Sequence, residues 1–359
     1  MEIARVSPRL KNGLILTAVY GLGIGTGWLF SVLGMPLPWM IGPLVLSASL
    51  YISGIITVQV PVRTRPFGQM VIAAQVGLAF TPAALAALLS YAPLLVGAAL
   101  VTAGLAGGIA VLSARMGGMP LAQAFLATFP TSPIEAAVIA GKLDWDPAPI
   151  VLSQTLRIGA VVILVPLCVY AVDGWPDPGD LVRGGPFDPM GNGFLALLAV
   201  SGALVFRKLG LSNPYFLGPL AFSAAAAAAG LQPAAFPPMI LSAAQIVLGI
   251  WLGSTFRRDL LVRGRRLLAT LVIGTLLLLS IISACAVALS AITDLDWEVL
   301  VLGMAPGGVT EMALTAKFLG VDLAMVTALQ LTRIFIFMPN MPWIIRMIDR
   351  YDKRVWRRY

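Results

Sequence analysis

The sequence predicts an all-α polytopic membrane protein made of two inverted repeats, each with about five transmembrane helices plus one re-entrant or broken hairpin. Three observations carry that expectation. Hydrophobic residues make up 59% of the 359 positions and charged residues 11%, with a mean hydropathy of +0.92. A soluble chain of this length could not hide so much apolar surface, whereas runs of about 20 apolar residues match the hydrocarbon thickness as helices. The chain also falls onto itself, without a gap, at a shift of 176 positions, Gly34 to Pro166 lying on Gly210 to Pro342. Finally, the charged loops obey the positive-inside rule only if each half crosses the bilayer an odd number of times.

The self-match rests on exceptions rather than on shared apolar composition. Pro38 meets Pro214, Gly42-Pro43-Leu44 meets Gly218-Pro219-Leu220, Ser47 meets Ser223, Gly54 meets Gly230 and Gln69 meets Gln245. Further along, Pro130 meets Pro306, Glu135 meets Glu311, Asp146 meets Asp322, Gln154 meets Gln330, Arg157 meets Arg333 and Pro166 meets Pro342. Polar groups and helix breakers align inside apolar runs, which is the mark of an internal duplication.

Taken in order, the first apolar run spans residues 14–33 behind Arg5, Arg9 and Lys11. It superficially resembles a signal peptide, but its length and the lack of a small-x-small cleavage site predict a first spanning helix. The next runs are 38–56, 66–81, 92–112, 120–143 and 147–172, repeated at 191–209, 214–230, 236–256, 266–292, 297–319 and 322–348. Repeat 1 is therefore 1–172, an acidic extracytoplasmic linker 173–190, repeat 2 191–348 and a basic cytoplasmic tail 349–359. Trp175, Trp297, Trp343 and Trp356 near span ends fit interfacial belts. Gly42-Pro43 and Gly218-Pro219, in the second runs, are expected to shape close helix packing.

Twelve full crossings would put Asp173, Asp177, Asp180 and Asp188 in the cytoplasm and export Arg257, Arg258, Arg263, Arg265 and Arg266. Making the fifth segment of each half re-entrant reverses both placements, inverts the second repeat and keeps Arg346, Arg350, Lys353, Arg354, Arg357 and Arg358 inside. A re-entrant third segment would leave the five arginines outside. The expected location is the bacterial inner membrane, with both termini cytoplasmic.

The fifth segments read Thr128-Phe129-Pro130-Thr131-Ser132-Pro133-Ile134-Glu135 and Met304-Ala305-Pro306-Gly307-Gly308-Val309-Thr310-Glu311. Pro130 and Pro306 lack an N–H, and Gly307 and Gly308 permit unusual dihedrals, so each predicts a helix, a break and a new helix. Ser132, Pro133 and Glu135 have capping-box spacing, with Gly308 and Glu311 as the counterparts. Broken helices at matching places in two halves point to a transport site, where half-helix N-termini face an anionic group. The plainer alternative is that the glutamates only cap helices and the prolines are tolerated kinks.

The sixth segments place Gln154 with Arg157, and Gln330 with Arg333, three apart on one helix face. An arginine about ten residues into a span costs at least about 2.5–3.5 kcal/mol, so a partner or aqueous cavity is expected. Glu135 and Glu311 are the obvious partners, either as purely structural ion pairs or as members of a working site. Gln69 and Gln245 either line the same cavity or bond to a backbone carbonyl.

At these residues the chain resembles the bacterial AbrB-type integral membrane family, duplicated proteins also labelled ammonia monooxygenases or regulators of gene expression. The resemblance is carried by Gly34-Met35-Pro36-Leu37-Pro38-Trp39 with Gly42-Pro43, by Pro306-Gly307-Gly308 followed by Glu311-Met312-Ala313, and by Gln330 with Arg333. It covers nearly the whole chain and implies kinship with inverted-repeat transporters, but no substrate. The first half departs from it at Pro130-Thr131-Ser132-Pro133.

The chain has no histidine, so the imidazole ligands of a copper or non-haem iron oxygenase cannot be built. Cys168 and Cys285 offer no metal spacing, and neither a nucleophile constellation nor a nucleotide-binding loop is present. No enzyme, cofactor or metal is expected. The net charge of +8 lies in juxtamembrane segments, which reads as topology and not as a nucleic-acid surface.

The expected partners are the lipid bilayer and a small molecule, with a homo-oligomer left open. The expected function is a secondary transporter or exporter of a small anionic or zwitterionic metabolite, proton-coupled through Glu135 or Glu311. Arg157, Arg333 and the hairpin amides would hold the cargo. Thr131, Ser132, Gly307, Gly308, Thr310, Gln154, Gln330, Gln69 and Gln245 complete the candidate set. The alternative is a membrane sensor that influences gene expression indirectly.

Overall fold

The computed structural model describes residues 8–131, 133–174, 185–211, 213–231, 233–256, 258 and 265–356. Among these every regular element is helical. Five helical stretches are long and apolar enough to cross a membrane, at 11–32, 92–117, 148–172, 189–208 and 268–290, rising to seven if two bent helix pairs each count as one span. That pattern marks a multi-pass membrane protein. Ser132, most of the acidic linker (175–184), Arg257, Arg263 and the last residues of the tail (357–359) lie outside the described residues.

The chain divides into two compact units, and neither coincides with a sequence repeat. Each takes matched pieces from both halves. The first holds 1–78 and 170–258, and the second 79–169 and 259–359.

The first unit contains α1 (Pro8–Val32), α2 (Pro38–Ile52) and α3 (Arg65–Gly77), with their counterparts α9 (Pro189–Lys208), α10 (Pro214–Ala228) and α11 (Pro238–Gly253). The duplication is written into its backbone. Leu37 and Asn213 both take the left-handed conformation (φ 44° and 49°) just before the proline that opens α2 and α10. Proline at the first helical position has no N–H to satisfy and its φ is already helical. Gly34 and Gly210 share φ 68°, and Gly54 and Gly230 share φ 77°.

Packing in this unit needs bare backbone at matched places. A methyl on Gly42 would stand 2.7 Å from the Thr26 carbonyl oxygen, and one on Gly218 would stand closer still to the Gly202 carbonyl oxygen. Gly42-Pro43 and Gly218-Pro219 therefore let α1 approach α2, and α9 approach α10, at backbone contact. The halves then exchange helices. Gly77 of α3 sits on Ser223 and the Leu220 carbonyl of α10, while Gly253 of α11 sits on Ser47 and the Leu44 carbonyl of α2. A side chain at either glycine would meet backbone, so the approach is available only to glycine.

The second unit contains α4 (Pro82–Ser90), α5 (Ala92–Gly117), α6 (Leu121–Thr128), α7 (Pro133–Gly141) and most of α8 (Ala148–Asp173). From the other half come α12 (Arg265–Ser290), α13 (Trp297–Met304), α14 (Val309–Leu319), α15 (Leu323–Phe337) and α16 (Met341–Trp356). Helix α4 occupies a stretch where hydropathy alone predicts a connection; Thr81 caps it by accepting from Ala84 N at 3.2 Å. The matched Asp146 and Asp322 are also terminal acceptors, for Ala148 N (3.0 Å) and Met325 N (3.0 Å). Each satisfies a backbone donor that the first turn leaves unpaired.

A single apolar core joins the halves here, with Leu126 and Phe129 beside Leu302, Met304 and Met312. The sixth segments differ. Pro166 is carried inside the continuous α8, whereas its counterpart Pro342 opens α16, which is bent 56° from α15. The second half has Pro339-Asn340 where the first has Ile163-Leu164. The added proline removes another helix donor, and the chain turns.

Candidate functional site at the paired helix breaks

Both fifth segments are broken helices. Helix α6 stops at Thr128 and α7 starts at Pro133; α13 stops at Met304 and α14 starts at Val309. A helix that stops inside an apolar core strands its last carbonyls, because no donor four residues further on exists to meet them. The Gln-x-x-Arg face of the next long helix supplies those donors. Gln154 Nε2 donates to the carbonyls of Leu126 (2.7 Å) and Phe129 (2.9 Å). Gln330 Nε2 does the same for Leu302 (2.7 Å) and Ala305 (3.0 Å). In each half the glutamine oxygen accepts from the neighbouring arginine, at 2.5 Å from Arg157 Nη2 and 2.6 Å from Arg333 Nη2. Gln154 and Gln330 are both fully buried.

The arginines complete the caps. Arg157 Nη1 donates to Thr128 O (3.0 Å) and Phe129 O (3.1 Å), and Arg333 Nη1 to Ala305 O (2.9 Å). Longer contacts of 3.4 Å run from the Nη2 atoms to Thr131 O and Gly307 O. Sequence offers Glu135 and Glu311 as the arginines' partners; the described hydrogen bonds of both guanidiniums run instead to backbone carbonyls and the glutamine amides. The physical reason is donor geometry. A guanidinium carries five donors in a fixed fork and a broken helix presents several carbonyls at once, whereas a carboxylate occupies two of the five.

The two breaks meet at Arg157. Its Nε donates to Pro306 O of the other break at 2.8 Å, and Phe129 packs edge-on against Phe337 of α15 with centroids 5.3 Å apart. Gly307 lies close under Val161, where a methyl would come within 2.7 Å of its Cγ1. Three successive carbonyls, Ala305, Pro306 and Gly307, thus accept from Arg333, Arg157 and Arg333 in turn.

The match between halves ends at one atom. Arg157 makes five hydrogen bonds, one for each N–H it owns. Arg333 makes three, and its Nε is buried without a partner among the described residues. The carbonyl that would answer Pro306 in the other half is that of Pro130, next to the departure Pro130-Thr131-Ser132-Pro133.

The glutamates sit in the first turns of the restarted helices. Thr131 Oγ1 donates to Glu135 Oε2 at 3.4 Å, and the Glu311 carboxylate folds onto Gly308, the residue before α14. Negative charge there complements the helix N-terminus. Thr310 is buried in the same turn.

Gln69 and Gln245 belong to the first unit, apart from the other candidates in the chain's division. Gln69 Nε2 donates to Asn213 Oδ1 at 3.4 Å; Gln245 Oε1 is buried with no partner among the described residues. The residue answering Asn213 in the first half is Leu37, which has no side-chain oxygen. Gln75, which the self-match passes over, accepts from Phe236 N at 2.8 Å and ties the halves of the first unit together. Lys317, in the last turn of α14, is a second residue that sequence reasoning passes over. Its Nζ is also buried and unpartnered among the described residues. Its counterpart is Gly141, so duplication gives no signal for it.

Fold and site together define a multi-pass helical membrane protein of duplicated halves, with two broken helices capped by a repeated Gln-x-x-Arg device. The chain belongs to the AbrB family. The family model described as transition state regulatory protein AbrB matches it twice, over residues 2–173 and 150–349. Over 352 residues the chain is 24% identical to a protein of Escherichia coli (strain K12) named as a candidate regulator, AbrB, covering 96% of this chain and 98% of the relative. It is also 24% identical over 360 residues to the uncharacterized protein YhjN of Bacillus subtilis (strain 168), covering 91% and 93%.

Proposed function

We propose that the protein is a secondary transporter or exporter of a small anionic or zwitterionic metabolite, working by alternating access in the bacterial inner membrane with both termini cytoplasmic. The observation that carries this reading is Arg333: a cation with two N–H groups that meet no acceptor among the described residues, one of them buried, beside a helix break in an otherwise apolar core. A guanidinium so placed is costly unless an acceptor reaches it, and an anionic group of the cargo is that acceptor. Glu311 carries or gates a proton, and Arg157 holds the two breaks together. The charged loops support inverted five-crossing repeats. That each compact unit draws matched helices from both copies supports a two-body mechanism.

Flux into proteoliposomes tests the proposal. Arg333→Lys keeps a charge but loses the fork, so transport is expected to fall at least about tenfold with expression retained. Glu311→Gln is expected to abolish proton-coupled movement in a folded protein. Unchanged flux in both variants removes these residues from the mechanism. The second reading, a membrane sensor, is favoured by the regulator name of the Escherichia coli relative; it predicts ligand binding with no flux.

A further inference from the structure

Next to Arg157 lies a small chamber that the helix caps do not account for. Its volume is about 10 Å³, room for one small occupant. Its polar wall is Ser113 of α5, Thr128 of α6, Ser153 and Arg157 of α8, and Thr275 of α12. The four hydroxyl residues are each at most 8% exposed, and their hydroxyls make no hydrogen bond among the described residues. Hydroxyls that face a void inside an apolar wall are costly unless something in the void meets them, so four around one void call for an occupant.

The duplication shows that the wall is not a by-product of helix packing. At the matched positions the other half has Leu289 for Ser113, Met304 for Thr128, Leu329 for Ser153 and Ala99 for Thr275. Leu329 there packs directly onto Gly303. All four hydroxyls occur on one side only.

We infer that the chamber beside Arg157 binds a single small monovalent anion of halide dimensions. The only charged group in the wall is the guanidinium, which repels a cation at this range. All five of its N–H groups are already engaged by neutral carbonyl and amide oxygens, so its hydrogen bonds are met while its charge is not. Water can satisfy the hydroxyls; an anion satisfies the hydroxyls and the charge together. Hydroxyl protons rotate freely and can all point inward at a negative centre. The inference shares Arg157 with the transport reading but does not depend on flux.

The test uses the full-length protein purified in gluconate, an anion too large for the void, and titrated with sodium chloride or bromide at constant ionic strength. Chloride is expected to raise the melting temperature saturably by about 3 °C. The double variant Ser113→Ala, Thr275→Val should lose that rise, and crystals grown in bromide should show an anomalous peak against Thr275. Equal melting in gluconate and chloride, with no bromide peak in the wild-type protein, overturns the inference and leaves a water in the chamber. The peak decides the matter even if the double variant does not fold. Chloride binding without metabolite flux would remove the transporter and keep the chamber; flux with no halide binding would do the reverse.

Discussion

Arg157 and Arg333 occupy one position of a duplicated sequence, reached by the same helix face and bonded to the same kind of carbonyl. Yet the surroundings have diverged. Arg157 has every N–H engaged, bridges to the other break through Pro306 O and borders a hydroxyl-lined chamber. In the Arg333 half the sequence positions that match the chamber wall are apolar, and Arg333 has a buried Nε left over among the described residues. What duplication preserved is the structural need, capping a helix that stops in the core. What it released is the rest of the guanidinium, which became a lock in one half and an unsatisfied donor in the other.

The comparison is broken most forcefully by removing the lock. Arg157→Met leaves several buried carbonyls unpaired and separates the breaks, at a cost on the order of 4 kcal/mol or more. Expression and melting temperature should collapse, whereas Arg333→Met, which strands fewer carbonyls, should still give folded protein. Equal losses would mean that the two arginines have not diverged. The glutamines sharpen the point from the other side, since their hydrogen bonds are alike in both halves. Gln154→Leu and Gln330→Leu should each destabilise by about 2–3 kcal/mol, and a large difference between them in thermal melts would contradict a shared capping role.

The first unit provides a control in which the halves stayed equivalent. Gly77→Ala and Gly253→Ala each push a methyl into facing backbone and should cost about 1–3 kcal/mol apiece, nearly equally, in matched denaturation curves. The smallest effect is expected at Asp352, which accepts from Leu121 N at 2.8 Å and so holds the start of α6 from the C-terminal helix. Asp352→Asn keeps the shape and removes the charge, lowering stability by about 0.5–1 kcal/mol; a shift of several kcal/mol would mean that α16 is doing more than capping.

Much of this was legible in the sequence. The self-match located both breaks, because proline and glycine are rare enough in apolar helices to align by cause, and Gln-x-x-Arg spacing put donors on one face. The partners of those donors were hidden, since backbone carbonyls have no letter in a sequence while Glu135 and Glu311 do. The exchange of helices between halves was hidden too; Gly77 and Gly253 read as ordinary glycines until Ser223 and Ser47 are seen against them. The chamber left a signal of a different kind. Ser113, Thr128, Ser153 and Thr275 are polar residues that the second copy does not repeat, so a search for matches passes over them.

The divergence of the two arginines is tested most directly by nitrogen-15 NMR of the Nε–H groups in arginine-labelled protein, with each signal assigned by its loss in Arg157→Lys or Arg333→Lys. The Arg157 Nε–H, bonded to Pro306 O, is expected to exchange slowly and to ignore added anions. The Arg333 Nε–H is expected to shift when small carboxylates or phosphate are titrated in. Two equally protected signals, neither responding to anions, would contradict the account.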